Sequence, residues 1–313
     1  MGSNRINYSI IIPHSNISHL LDRLLSTIPM RDDVQIIVVD DCSNAEELDK
    51  IALLKEKYPY VEFYSTETKG GGGKARNVGL DHAKGKFLIF ADADDYFNLC
   101  FPDVLEEYKD SDADIIYFSA NSVDTDTYEN SDRAEYFHRI IHGFLTTKDE
   151  TQIRFGFIVP WGRFIRRSIV VENKIRFAET WVSNDMRFST ESDFYAGKLD
   201  ADPRAIYCVT NRANSTSKGQ SPEEMISRLK TEAQRFRFMK EHGINKHVQE
   251  PSFVSHYQRF LATKNRDLIN EAERIMNENL ISVRNVKKLY RNMKIHQCGH
   301  NLLAMMGLCR MHH

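Results

Sequence analysis

The stretch Lys86-Phe87-Leu88-Ile89-Phe90-Ala91-Asp92-Ala93-Asp94-Asp95 decides the fold. Phe87 to Ala91 is an unbroken apolar run, long enough for a strand buried on both faces and short for a helix. Three carboxylates then follow within four residues. A core does not hold unpaired negative charge, so the chain must leave the strand into a cleft at this point. Asp92 and Asp94 are two apart, and in extended chain their side chains point the same way and can share one cation. Hard oxygen ligands so spaced suit Mg²⁺ or Mn²⁺, which bind through one or two carboxylates and substrate phosphates. The structural alternative is a polar loop whose Asp caps the next helix.

Working outward, the first 120 residues alternate between two periods. Strand-like runs fall at Tyr8–Ile12, Val34–Val39, Val61–Tyr64, Phe87–Ala91 and Ile115–Phe118. Amphipathic segments of helical length lie between them, at Ser18–Ile28, Ala45–Tyr58, Gly73–Ala83 and Phe101–Lys109. This predicts an α/β domain with a mixed, mostly parallel sheet flanked by helices. Ligands of such sheets bind beyond the C-terminal strand ends. Pro13-His14-Ser15-Asn16, Asp40-Asp41-Cys42-Ser43 and Asp92 to Asp95 all lie there.

Beyond Asp124 the pattern loosens. A helix is expected over Glu129–Phe144, then an aromatic and basic stretch, Phe155–Arg167, broken by Gly156, Pro160 and Gly162. Ile175–Asp193 predicts a short strand, a polar loop and a helix, and Ala205–Val209 another strand. From Ser221 the chain reads as helical, with Ser221 as N-cap, Pro222 after it and Glu223 and Glu224 in the first turn. The expected organisation is a catalytic domain over 1–218, with halves 1–120 and 121–218, and a helical C-terminal region over 219–313.

Hydrophobic residues at 41% and charged ones at 27% are ordinary for a soluble globular chain of 313 residues. From Ile281 to His313 there is no acid but six Lys/Arg, so the formal charge of −2 is spread as −8 on the rest and a basic tail. An acidic body without a basic stripe argues against nucleic acid as partner. Five widely spaced cysteines fit reduced thiols in a cytoplasmic protein. No signal peptide or membrane-spanning run is visible. In the tail, Val283, Val286, Leu289, Tyr290 and Met293 form one apolar helical face opposite Arg284, Lys287, Lys288, Arg291 and Lys294. Together with the apolar Asn301–Leu308, this suits either peripheral contact with the inner face of the membrane or packing on the protein or a second copy.

Ile36-Ile37-Val38-Val39-Asp40-Asp41-Cys42-Ser43 is a second buried strand ending in paired acids. One Asp can cap the helix that starts near Asn44. The other can accept the N3–H of a uracil or thymine. Asp40 is assigned to structure and Asp41 to the base, in preference to the reverse. Thr68 to Gly79, with Gly70-Gly71-Gly72-Gly73-Lys74-Ala75-Arg76, is not a phosphate loop. Ala75 stands where Ser or Thr is required, and the glycine spacing is wrong for a dinucleotide fingerprint. It is a glycine-rich approach to a helix, with Lys74 and Arg76 in the first turn.

The succession SIIIPHSN (9–16), IIVVDDCS (36–43), GGGGKARNVGL (70–80), GKFLIFADADDYF (85–97), PWGRFIRRS (160–168) and RFAE (176–179) with NDMRF (184–188) resembles family 2 glycosyltransferases of the GT-A fold. The resemblance covers about Tyr8 to Lys218. It implies an inverting, metal-dependent transfer from a UDP-sugar to a glycan or lipid-linked acceptor, in surface polysaccharide synthesis. By the same resemblance, Asp41 and Pro13 lie at the base, Arg76 beside the nucleotide, Asp92 near the ribose and Asp94 on Mn²⁺ or Mg²⁺. The family's base is a Glu-Asp pair; here the position reads Asn184-Asp185, which leaves Asp185 as catalytic base. A carboxylate is needed to take the acceptor's proton as its oxygen attacks. The structural alternative for Asp185 is an N-cap, a task Asn184 could also perform. Trp161 and Arg163 are placed on the acceptor side, Arg163 standing where the family often has Lys, although an aromatic at this place could equally belong to the core. Arg212, Ser215, Ser217 and Lys218 resemble a loop that closes over diphosphate. A sugar nucleotidyltransferase would require a glycine-rich, arginine-containing signature after the first strand, which Pro13-His14-Ser15-Asn16 lacks. A non-catalytic nucleotide- or glycan-binding module is opposed by the intact Asp92, Asp94 and Asp185.

Overall fold

The computed structural model describes residues 5–212, 221–244 and 252–293. The chain divides into two compact units, Met1–Gly219 and Gln220–His313.

The first unit is built on an eight-stranded sheet. Its strands are β1 (Tyr8–His14), β2 (Val34–Asp40), β3 (Val61–Ser65), β4 (Phe87–Phe90), β5 (Tyr96–Phe97), β6 (Ile115–Asp124), β7 (Arg163–Arg166) and β8 (Leu199–Asn211), in the order β3-β2-β1-β4-β7-β6-β8-β5. The β1–β2, β1–β4, β2–β3 and β6–β8 pairs are parallel; β4–β7, β6–β7 and β5–β8 are antiparallel. Strands β1, β2 and β4 are buried on both faces, as their continuous apolar runs require. Helices α1 (Ser18–Ser26), α2 (Ala45–Lys57), α3 (Gly71–His82) and α4 (Phe101–Tyr108) connect them. The apolar stripe of α1 buries Leu20, Leu21, Leu24 and Leu25.

Past Asp124 the structure corrects the sequence reading in three places. The helix expected over Glu129–Phe144 begins later, as α5 (Glu135–Thr147). Asp124 accepts the backbone N–H of Asp126 and of Thr127 at 3.0 Å, an Asx-type turn that competes with helix in the intervening residues. It is followed by α6 (Glu150–Gly156) and α7 (Arg167–Glu172). No strand forms near Ile175. The backbone there is paired instead by an amide side chain: Asn77 donates to the Phe177 carbonyl at 3.1 Å and accepts the Phe177 N–H at 2.9 Å. Strand β6 runs past its apolar start because its buried hydroxyls find partners. Ser119 meets His138 Nδ1 at 2.7 Å, and Ser122 donates to the Ser131 carbonyl at 2.7 Å.

One internal ion pair sets the position of α8 (Asp185–Tyr195), the helix that begins with Asp185. Arg163, on β7, is 0% exposed and reaches both carboxylate oxygens of Asp193 at 2.9 and 3.1 Å and the Ser189 hydroxyl at 2.7 Å. Tyr117 donates a third bond to Asp193 at 2.6 Å. Arg163 therefore does not line an acceptor side. Trp161 is also mostly buried, stacked on Tyr207 at 5.8 Å and edge-on to Phe137 at 4.9 Å. Both corrections have one cause: neither residue type shows in sequence whether its partner is in solvent or in the core.

The second unit contains α9 (Pro222–Glu241), α10 (Ser252–Ala262), α11 (Arg266–Glu278) and a helical segment over 283–293. Ser221 caps α9 in a reciprocal capping box with Glu224. The tail's apolar face is spent on this unit's own core: Val286 is 0% exposed, and Leu289, Tyr290 and Met293 pack against the same cluster. That face is not available to a bilayer, and Lys287 on the basic side pairs with Glu273 at 2.7 Å. Residues 301–308 lie outside the described residues. Among the described residues, no helix is long and apolar enough to cross a membrane.

Removing Arg163 leaves Asp193 as a buried charge without its counterion. Arg163→Met is expected to destabilise the first unit by about 3–5 kcal/mol in urea unfolding. The double variant Arg163→Met/Asp193→Leu should lose clearly less than the two single losses added together.

Candidate active site

The polar groups predicted at the strand ends do converge. At the end of β1, His14 is buried and its Nε2 accepts the Ile17 N–H at 3.2 Å, so its Nδ1 carries the proton toward Asp40 Oδ1 at 3.0 Å. Asp40 also accepts from the Ser43 N–H at 3.0 Å and hydroxyl at 2.5 Å. Burial would raise its pKa, but these bonds outweigh it and hold the carboxyl below the usual value. Asp40 is therefore structural, as expected.

Asp41 is not placed as the sequence suggested. It is 3% exposed, and its carboxylate accepts from the Thr66 hydroxyl at 2.9 Å, the Gly70 N–H at 2.9 Å and the Gly71 N–H at 2.7 Å. With three donors on its oxygens, Asp41 anchors the glycine-rich loop rather than facing a base. The physical reason is the helix start. The first N–H groups of α3 have no intrahelical partner, and no Gly70 side chain can cap them.

The glycines allow a close approach. A Cβ on Gly73 would lie 2.1 Å from the Ala178 carbonyl oxygen and 2.8 Å from the Asn184 Cβ. Gly71 has φ +79°, a conformation that side chains disfavour. The α3 helix thus lies directly against the 178–184 segment and delivers Arg76 into the gap. Arg76 is buried, donates to Asn184 Oδ1 at 2.8 Å and forms an ion pair with Asp92, its guanidinium 5.3 Å from the Phe177 ring centre. One side chain so links the β4 carboxylates to the residue before Asp185.

Asp92 to Asp95 form a tight turn bolted to β8. The Tyr207 hydroxyl accepts the Asp92 N–H at 2.8 Å and donates to Asp95 Oδ2 at 2.8 Å. The Thr210 N–H reaches Asp95 Oδ1 at 2.7 Å, and the Thr210 hydroxyl reaches the Asp94 carbonyl at 2.7 Å. Arg23, on α1, also donates to that carbonyl. Asp94 lies 2.9 Å from Arg212 Nε. Burial and then Asp92 push the Asp94 pKa up, against Arg212. Burial, Asp94 and Asp92 push Asp95 well above the usual carboxylate value. Crowded carboxylates of this kind are what a divalent cation would relieve. Among the described residues no three acidic, His or Cys side chains group as a ligand set, so two carboxylates plus substrate oxygens is the arrangement that fits.

Asp185 is the first residue of α8. Asn184 is the N-cap residue, but its side chain makes no cap bond, being engaged with Arg76. Burial raises the Asp185 pKa, the positive charge of Arg76 opposes the rise, and Asp92 adds to it. Pro13 sits partly exposed at the end of β1. Lys218, Ser215 and Ser217 lie outside the described residues. Sequence reasoning missed Tyr207 and Thr210, which hold the acidic turn from 112 or more residues away. It also missed Trp181, which is 51% exposed and whose ring lies 3.7 Å from where a Gly71 Cβ would be. Its position between the quoted 176–179 and 184–188 segments was the available signal.

The family model for glycosyl transferase family 2 matches residues 9–173. A poly(ribitol-phosphate) beta-N-acetylglucosaminyltransferase, TarS of Staphylococcus aureus, is 33% identical over 97 residues, which is 30% of this chain and 17% of TarS. The match thus spans well under two thirds of that relative's length. The amylovoran biosynthesis glycosyltransferase AmsB of Erwinia amylovora is 27% identical over 241 residues, 69% of this chain and 74% of AmsB. The crystal structure of S. aureus TarS 1-349 in complex with UDP-GlcNAc superposes with a TM-score of 0.58 at 20% identity, covering 91% of this chain and 92% of that one. The mannosyltransferase PcManGT from Pyrobaculum calidifontis, in complex with GDP-Man and Mn²⁺, gives a TM-score of 0.54 at 15% identity, covering 93% and 80%. The fold is GT-A, with C-terminal helices beyond it.

Gly73→Ala sets a helix-propensity gain of about 1 kcal/mol against a Cβ driven into a backbone carbonyl. The clash should win. Urea unfolding is expected to show a net loss of about 1–3 kcal/mol.

Proposed function

This chain belongs to glycosyl transferase family 2, and from that premise we propose that it transfers a sugar from a UDP-sugar donor to a hydroxyl of a surface-polysaccharide or lipid-linked glycan. The transfer inverts the anomeric carbon and depends on Mn²⁺ or Mg²⁺. The observation that carries this reading is the Arg76 bridge, which sets the Asp92–Asp94 turn beside the start of α8 and hence beside Asp185. The donor class is supported by the UDP-GlcNAc held by TarS, and the acceptor class by the polymers named for TarS and AmsB.

In this reading Pro13, Arg76, Asp92 and Arg212 lie on the donor side. Asp94, with Asp92, would hold the cation. When bound, the cation would neutralise charge on the departing diphosphate. Asp185 accepts the proton of the acceptor hydroxyl as its oxygen forms the new bond to the anomeric carbon and the bond to diphosphate breaks. Burial raises its pKa, which brings the carboxylate closer to the strength a general base needs, and the positive charge of Arg76 opposes that rise and favours the ionised form. The acceptor side passes from Trp161 and Arg163, which are core residues, to Trp181, whose exposed ring can stack on a sugar face.

The direct test is UDP release from a panel of UDP-sugars, with and without Mn²⁺. Asp94→Asn should abolish the metal dependence of UDP binding in calorimetry while leaving the fold intact. Unchanged metal dependence would remove Asp94 from the site. Asp185→Asn should keep UDP affinity and lower turnover by roughly 10²–10⁴-fold. In the wild type, activity should fall with acidification along a limb lying above the ordinary aspartate range, because Asp185 must be ionised to act.

A further inference from the structure

The edge of the sheet opposite the carboxylates carries a cavity of about 550 Å³ that the transfer reaction does not use. Among its walls are Arg5 before β1, Lys84 and Lys86 before β4, Arg166 at the end of β7 and Arg167 at the start of α7, with Glu172 as the acid of the lining. The register explains why they meet: Arg166 pairs with Phe87 across β4 and β7, and the Arg167 N–H donates to the Lys86 carbonyl at 2.9 Å. Lys86, Arg166 and Arg167 are thus fixed by sheet pairing and backbone bonds, and Arg5 and Lys84 lie in the segments that lead into β1 and β4.

The charges are unequally committed. Arg166 is held by Asp114 at 3.1 Å and by the carbonyls of Ser111 and Ala113. Lys86 donates to the Lys109 carbonyl at 3.0 Å, and the acids that act on it, Asp110 and Asp112, only partly offset burial, Arg166 and Arg5, so its pKa is held down. Lys84 comes no closer than 4.0 Å to Glu62. Arg5 and Arg167 form no ion pair among the described residues. An anion bridging Lys86 and the guanidinium groups of Arg5 and Arg167 would offset the burial and the like charges of Arg166 and Arg5 that disfavour the Lys86 ammonium. Guanidinium forks match the oxygens of phosphate better than any other common anion except carboxylate, and several cations favour the higher charge density of phosphate.

We propose that this cavity is a second anion site, which holds a phosphate group of a larger ligand at the sheet edge away from the chemistry. From Phe87 to Asp92 the strand advances about 17 Å, so a ligand held here does not compete with the donor for space. A chain with repeated phosphates could occupy this site while another part of it lies in the catalytic cleft, and would gain effective concentration there. Binding of phosphate at this cavity requires no sugar transfer.

The test uses the full chain with UDP in saturating excess, which fills the catalytic cleft even without the divalent metal that tripolyphosphate would chelate. Calorimetric titration with tripolyphosphate is expected to give an affinity at least about tenfold weaker in Arg5→Glu/Arg167→Glu than in the wild type. The neutral pair Arg5→Gln/Arg167→Gln should lose less in the same direction. A second arm measures flotation with phosphatidylcholine vesicles with and without phosphatidylglycerol. A loss confined to the vesicle arm would support the site with a lipid headgroup as the phosphate source, and a loss with tripolyphosphate would support a soluble source. Equal behaviour of wild type and variants in both arms would overturn the proposal. So would a parallel loss of UDP binding, which would make the two arginines part of the general fold.

Discussion

The guanidinium of Arg76 is the contact on which the site depends. It is buried between two carboxyl-bearing elements that the chain separates by more than ninety residues, and it bonds to both. Arg76 ties the Asp92 and Asn184 side chains to each other, while Tyr207 holds the Asp92 backbone and Ala178 that of Asn184. The arginine in turn needs α3 at its present depth. That depth exists because Gly73 lets the helix backbone meet the Ala178 carbonyl. A missing side chain and a long charged one are thus two halves of one device.

Two buried polar knots support it from outside. Arg163 and Asp193 fix α8, and Tyr207 with Thr210 fixes the acidic turn. Their effect is positional, and it opposes the electrostatic preference of the carboxylates, whose pKa values are raised by burial first and by their acidic neighbours second. Groups held against their own preference are common where chemistry is done.

The alternation of strand and helix was legible in the first 120 residues because buried parallel strands need continuous apolar runs. The strand-end acids were legible because charge has few other places to go. What could not be read were partners. Asp41 looked free for a ligand, but the donors that occupy it belong to Thr66 and the glycine loop. Arg163 and Trp161 looked like surface recognition residues, but their partners lie in the core. The apolar stripe of 283–293 suited either a membrane or a protein surface, and its neighbours on α9, α10 and α11 cover it. The two-residue β5 and four-residue β7 are too short to carry a period, and they exist because β8, β4 and β6 offer them edges. In each case the local pattern was right about chemistry and silent about which distant group would answer it.

The bolting of the acidic turn to β8 has a consequence for how the molecule is made. The ribosome delivers the turn at residues 92–95 long before Tyr207 and Thr210, and β5 waits equally long for β8. The early strands β1 to β4 can pair on the nascent chain, but the carboxylates remain without their fixing bonds until about residue 211 has emerged. Sheets dominated by such distant pairings fold slowly, because loop closure comes before the contacts that reward it. A chain truncated within β8 would therefore retain most of the nucleotide-side sheet and lack an ordered acidic turn.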